Sequence, residues 1–128
     1  SKDENEHGLR KILNFGHTIG HALESYLGYG KIRHGEAVAF GMKSSGYISG
    51  KLGSISKNDL LILINMIDNL PLPELPHINP NHLLPFIKND KKTEKGKLNF
   101  VILDNLGNAK TTTKVDEDLI IESLKVLN

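Results

Sequence analysis

The 128-residue chain has no cysteine and no tryptophan, and aromatic residues make up only 5% of it. Without cysteine there is neither a disulfide nor a thiolate ligand, so any metal site must use nitrogen and oxygen donors. With so few aromatics, the core must come mostly from Leu, Ile, Val and Ala. An excess of one charge is missing too: 16 basic and 15 acidic side chains leave a net charge of +1. That balance gives no basic face for a nucleic acid and no polybasic patch for an anionic membrane. No apolar run approaches the ~20 residues of a membrane span, and no signal peptide is visible, which with the absence of cysteine suits the cytoplasm.

What is present fits one domain, long enough to bury a core. Ser1 to His7 is polar, lacks an initiator Met and leads straight into a helical pattern with no strand before it. It reads as a segment of something longer. Leu9, Ile12 and Leu13 are at helical spacing and predict a short helix over Gly8 to Asn14, running into a second near Gly16. His17 to Leu27 follows, with Ile19, Ala22, Leu23 and Tyr26 as its apolar side. Gly28 and Gly30 can stop that helix and let the chain double back. A third helix is expected over His34 to Leu52, where Gly41, Ser44, Ser45 and Gly46 imply close packing on more than one side. Ser56 is the expected N-cap of a fourth helix, Lys57 to Asn69, apolar at Leu60, Leu61, Leu63, Ile64 and Ile67.

All five prolines lie between Pro71 and Pro85. They predict an extended connector, then a short helix over Asn81 to Lys88 with Pro85 near its start. Asn89 to Lys97 reads as a charged loop. Leu98 to Leu103, a turn over Asp104 to Asn108, and Ala109 to Val115 predict a β-hairpin. Asp116 opens a last amphipathic helix carrying Leu119, Ile120, Leu124 and Leu127. The expected class is mainly α, a multi-helix domain with a small β-hairpin.

Three of the six histidines fall in one stretch: His17, His21 and His34. His17 and His21 are four residues apart, about 40° around a helix, so both rings share a face. Neutral imidazoles on adjacent turns can reach one ion, and His34 would return beside them at the start of the next helix. This set is one carboxylate short of a catalytic metal site, and no Glu-x-x-His pattern supplies it. His7, His77 and His82 have no such context and read as solvated. Arg10 and Asn14 share a helix side one turn before His17, which suits a substrate clamp as well as a surface arginine and a capping amide. Asp90-Lys91-Lys92 is a charged loop whose ammonium groups could meet a phosphate or carboxylate. Glu6 could hydrogen-bond a histidine.

The string Glu6-x-x-x-Arg10-x-x-x-Asn14-x-x-His17-x-x-x-His21, with His34-Gly-Glu and the later Asp90-Lys91-Lys92 before an apolar strand, resembles the C-terminal domain of 3-dehydroquinate synthases. The likeness covers nearly the whole chain, and Asn-Phe-Gly-His-Thr-Ile-Gly-His-Ala-Leu-Glu is its most specific part. It implies a lyase of the shikimate route that turns 3-deoxy-D-arabino-heptulosonate 7-phosphate into 3-dehydroquinate and phosphate. It implies NAD and a divalent metal, zinc or cobalt. NAD would take a hydride from C5, acidify the C6 proton for loss of phosphate, and then return the hydride.

By the same resemblance His17 and His34 are metal ligands, and His21 is the catalytic histidine with Glu6 behind it. Arg10, Asn14 and one lysine of the loop, Lys92 before Lys91, contact the phosphorylated sugar-acid substrate. The family's Rossmann-like N-terminal half, which binds NAD and gives a glutamate to the metal, is missing from these residues, and no Gly-x-Gly-x-x-Gly follows a strand here. The chain alone is therefore expected to be inactive, to bind metal weakly if at all, and to self-associate through apolar surface that would face that half. The longer enzyme is expected to be a homodimer. Other readings are a sister sugar-phosphate cyclase of the 2-deoxy-scyllo-inosose synthase kind, a metal-dependent polyol dehydrogenase, and a non-enzymatic helical interaction module.

Overall fold

The structure is a computed structural model that describes residues 16–28, 30–90, 93–94, 97–98, 100–105 and 107–128. The expected helix over Gly8 to Asn14 lies outside them. Five α-helices are described: α1 His17–Leu27, α2 His34–Lys51, α3 Lys57–Asp68, α4 Pro80–Asp90 and α5 Glu117–Leu124. Between α4 and α5 run four strands, β1 Thr93–Glu94, β2 Lys97–Leu98, β3 Phe100–Asn105 and β4 Asn108–Thr112. They form two antiparallel pairs, β1 with β2 and β3 with β4. A 3-10 turn, Lys125–Leu127, closes the chain. The mainly α class holds, with a second small strand pair added.

The helix at the centre is α2, and the small residues along it explain why. At its first turns it crosses α1 with backbone against backbone. A Cβ added to Gly41 would lie 2.1 Å from the Gly16 carbonyl oxygen and 2.8 Å from the Gly20 nitrogen. One on Gly20 would lie 3.0 Å from the Ala37 carbonyl oxygen. Any larger residue at this crossing would push the two axes apart. A second stripe meets α3: a Cβ on Gly46 would strike the Leu63 side chain and one on Gly50 the Leu60 side chain, while Lys43 and Asp68 pair at 2.8 Å. A third stripe meets α5. There the Ser44 hydroxyl is shared between the carbonyl and hydroxyl oxygens of Ser123, and Tyr47 donates to Glu122 at 2.7 Å.

The β3–β4 hairpin separates two apolar clusters, as the two-residue period of a strand requires. Phe100 and Ile102 face the main core, with Ile19 and Leu23 of α1, Leu83 and Ile87 of α4, and Ile120 and Leu124 of α5. Leu103 and Ala109 face a smaller cluster with Ile55, Leu63 and Ile67. The hairpin is tied to α2 through serines. The Leu103 amide donates to the Ser49 hydroxyl at 2.9 Å, and Ser54 donates to the Leu103 carbonyl at 2.6 Å.

The caps at Ser56 and Asp116 are as expected: their side chains accept from the amides of Asp59 and Leu119. Gly28 and Gly30 take φ of 96° and 78°, which L side chains rarely adopt, and reverse the chain between α1 and α2. Three expectations need correction. Pro85 stands inside α4 and not near its start, because α4 begins at Pro80 behind Asn79, whose side chain accepts from the Asn81 amide. Pro85 itself is exposed while Leu83 and Ile87 are buried, so core packing keeps a helix that propensity would end. The region from Asn89 to Lys97 is not simply a loop, since α4 runs to Asp90 and β1 pairs with β2 within it. Leu61 is 53% exposed and so falls on the outer face of α3 with Ile62 and Met66, while Leu63 and Ile67 carry its core contact.

The crossing of α1 and α2 yields a prediction. Gly41→Ala should destabilise the fold by about 1–3 kcal/mol or more in a urea melt, because its new methyl meets rigid backbone. Gly35→Ala, in the same helix where an added Cβ meets nothing within 4 Å, should carry no such cost. Equal melting midpoints for Gly41→Ala and the parent chain would contradict the account.

Candidate metal centre

The site begins with the turn that ends α1. His17 and His21 project from one face of α1, and the reversal at Gly28 and Gly30 brings His34, the first residue of α2, against them. The start of α2 is fixed locally, because the Arg33 amide donates to the Glu36 carboxylate at 3.0 Å. The glycine crossing behind it keeps the two helices close enough for their side chains to meet.

The three rings form a near-equilateral triangle. Centroids are 5.6 Å apart for His17 and His21, 5.1 Å for His17 and His34, and 5.6 Å for His21 and His34. One ligand nitrogen from each ring lies within 4.8 Å of the others. Nitrogens on a tetrahedral zinc, each at 2.0–2.1 Å, are about 3.4 Å apart, a separation that small rotations of these rings can reach. The donors are all nitrogen, as a chain without cysteine requires, and imidazole suits zinc, cobalt and their neighbours. The residues present fit a divalent ion.

His21 and His34 are exposed, and His17 is half-buried. The centre is therefore open on one side, leaving room for further ligands or a substrate. Burial, then the neighbouring His34 and His21, push the His17 pKa below its ordinary value of 6.5, against an opposing pull from Glu24. A lowered pKa keeps the His17 lone pair free of a proton and available to a cation at neutral pH.

Sequence reasoning missed Glu24. It lies on α1 three residues beyond His21 and seven beyond His17, and its carboxylate is 2.7 Å from His34 Nδ1. The signal was available: positions i, i+4 and i+7 share one helical face, so His17, His21 and Glu24 form a single stripe. His21 and Glu24 stand in the order His-x-x-Glu, the reverse of Glu-x-x-His. His77 and His82 are exposed, in keeping with solvated histidines. Glu6, Arg10, Asn14, Lys91 and Lys92, as well as His7, lie outside the described residues. No helix among those described is long and apolar enough to cross a membrane.

Comparison with known proteins agrees with this geometry. The family model for the 3-dehydroquinate synthase C-terminal region matches residues 1–93. The chain is 40% identical over 126 residues to the 3-dehydroquinate synthase of Solibacter usitatus, covering 98% of this chain and 35% of that protein. It is 44% identical over 116 residues to the synthase of Geotalea uraniireducens, covering 90% and 32%. The chain thus spans about a third of the length of the curated relatives it matches. Among solved structures, a 2-deoxy-scyllo-inosose synthase complexed with carbaglucose-6-phosphate, NAD+ and Co2+ superposes with a TM-score of 0.73 at 24% identity, over 88% of this chain and 32% of that one. The 2-epi-5-epi-valiolone synthase of Streptomyces hygroscopicus, with NAD+ and Zn2+ bound, gives 0.71 at 22% identity, over 89% and 32%. These two likenesses establish the fold.

The His17 environment predicts a pH effect. Its folded pKa lies below that of the unfolded chain, so the unfolded state takes up the proton first as pH falls. The resulting stability is fully present above pH 6.5 and is lost as pH drops through the folded value. A proton NMR titration of the metal-free chain should place the His17 midpoint below 6.5, and His17→Gln should flatten the acid side of the stability curve. A His17 midpoint at or above 6.5 would contradict the electrostatic picture.

Proposed function

The chain belongs to the 3-dehydroquinate synthase C-terminal family, and from that premise we propose that it is the metal- and substrate-binding domain of a 3-dehydroquinate synthase. The proposed reaction turns 3-deoxy-D-arabino-heptulosonate 7-phosphate into 3-dehydroquinate and phosphate, with NAD held mainly by a Rossmann-like half outside these residues. A homodimeric, cytoplasmic enzyme belongs to the same proposal. The observation that carries it is the meeting of His17, His21 and His34 on two successive helices.

In this reading His17 and His34 hold a divalent ion, zinc or cobalt, each through one unprotonated nitrogen. Once bound, the ion supplies Lewis-acid polarisation of substrate oxygens. His21 is the proton-moving group: its ring is 5.6 Å from each of the other two, near enough to share the substrate's surroundings without needing a place among the ligands. Glu6 supports His21. Arg10 and Asn14 orient the substrate, and Lys92, with Lys91 beside it in sequence, holds an anionic group. The lowered pKa of His17 helps by removing competition from protons.

A sister sugar-phosphate cyclase is the second reading, favoured by the solved structures that share the fold. Identity weighs against it, at 40–44% to synthases and 22–24% to those cyclases. Mixing the chain with a separately expressed NAD-binding half from a synthase relative tests both. With NAD and Zn2+, the pair should release phosphate from the heptulosonate phosphate, while the chain alone shows no turnover and weak metal binding. Release from glucose 6-phosphate instead would point to the sister cyclase. Tight Zn2+ binding by the lone chain, with no turnover on mixing, would point to an interaction module.

A further inference from the structure

We propose that Glu24 is the positioning residue of this centre: its carboxylate accepts a hydrogen bond from His34 Nδ1–H and so turns the Nε2 lone pair toward a divalent cation. The proposal rests on the reading of His34 as a metal ligand and adds a residue to it.

A neutral imidazole carries one N–H and one bare lone pair, and its partner decides which nitrogen is which. A carboxylate can only accept, so the 2.7 Å contact between Glu24 Oε1 and His34 Nδ1 places the proton on Nδ1. Among the described residues, the donors that lie close to one another are His17, His21 and His34, without Glu24. The carboxylate thus stands outside that group, and with Nδ1 engaged by it, Nε2 is the His34 nitrogen left for an ion. Carboxylate–imidazole–metal chains of this kind fix both tautomer and ring orientation.

The need for such a partner is greatest at His34. Its side chain is 54% exposed, so little packing holds the ring in one rotamer. Its main chain is anchored through Glu36 and the Arg33 amide, but that contact leaves the side chain free to turn. Glu24 comes from the other helix. One hydrogen bond thus ties the start of α2 to the histidine face of α1 across the turn that separates them.

The test uses the full 128-residue chain, with two readouts. In the metal-free state at about pH 7.5, long-range proton–nitrogen NMR should show His34 as the Nδ1–H tautomer in the parent chain. Glu24→Leu should move it toward Nε2–H, whereas Glu24→Gln, which keeps the size and an accepting oxygen, should retain most of the Nδ1–H form. In Zn2+ titrations, Glu24→Leu should weaken affinity about 10- to 100-fold and Glu24→Gln by less. His34→Ala serves as the reference for loss of the ligand. An unchanged His34 tautomer in Glu24→Leu overturns the proposal, as does unchanged Zn2+ affinity in that variant when His34→Ala weakens it. If His34→Ala leaves Zn2+ affinity intact, the ligand reading itself fails, while the tautomer still decides whether Glu24 governs His34.

Discussion

The contact on which the rest depends has no side chain in it. Gly16 and Gly20 of the α1 region meet Ala37 and Gly41 of α2 at distances that leave no space for a Cβ. Close approach of two helix backbones gives each neighbouring atom pair only a small dispersion gain, but many such pairs act together. More important here is its geometric effect. With the axes this near, side chains at the edge of the crossing can touch across it, and those side chains are imidazoles.

Function follows from that arrangement in a short chain of causes. The positive-φ glycines after Leu27 reverse the chain, α2 starts at His34, and the start is locked by Glu36. The other stripes of α2 are held by α3 and α5 through Leu60, Leu63, Ser123 and Glu122, so the helix has little freedom to roll. A metal site requires donors fixed to within fractions of an ångström, and sites on well-packed helices meet that need better than sites on loops. Partial burial of His17, and then repulsion from the neighbouring histidines, favour the unprotonated ring that a cation requires.

Much of this was legible in the sequence because it rests on local signals. Apolar periodicity, the Ser56 and Asp116 caps and the paired glycines after Leu27 each act within a few residues. The packing of α2 on more than one side could also be read from its small residues. What escaped detection depends on contacts distant in sequence. Pro85 opposes a helix locally, yet Leu83 and Ile87 are buried in one core with Ile19 and Leu23 of α1 and Ile120 and Leu124 of α5, all distant in sequence. The short β1–β2 pair has too few residues to leave a pattern. Glu24 gains its meaning from His34, ten residues away around a turn, and only coordinates reveal that pairing. Of the residues assigned through family resemblance, the three central histidines converge, while Glu6, Arg10, Asn14, Lys91 and Lys92 fall outside the described parts.

The central claim is that imidazoles from two helices of this chain share one cation. X-ray absorption of the chain at millimolar concentration with substoichiometric Zn2+ reads it directly. The account predicts at least two imidazole nitrogens at about 2.0 Å, with the signature multiple scattering of the ring. A first shell of oxygen alone, or a spectrum left unchanged when His17 and His34 are both replaced by Ala, would contradict it.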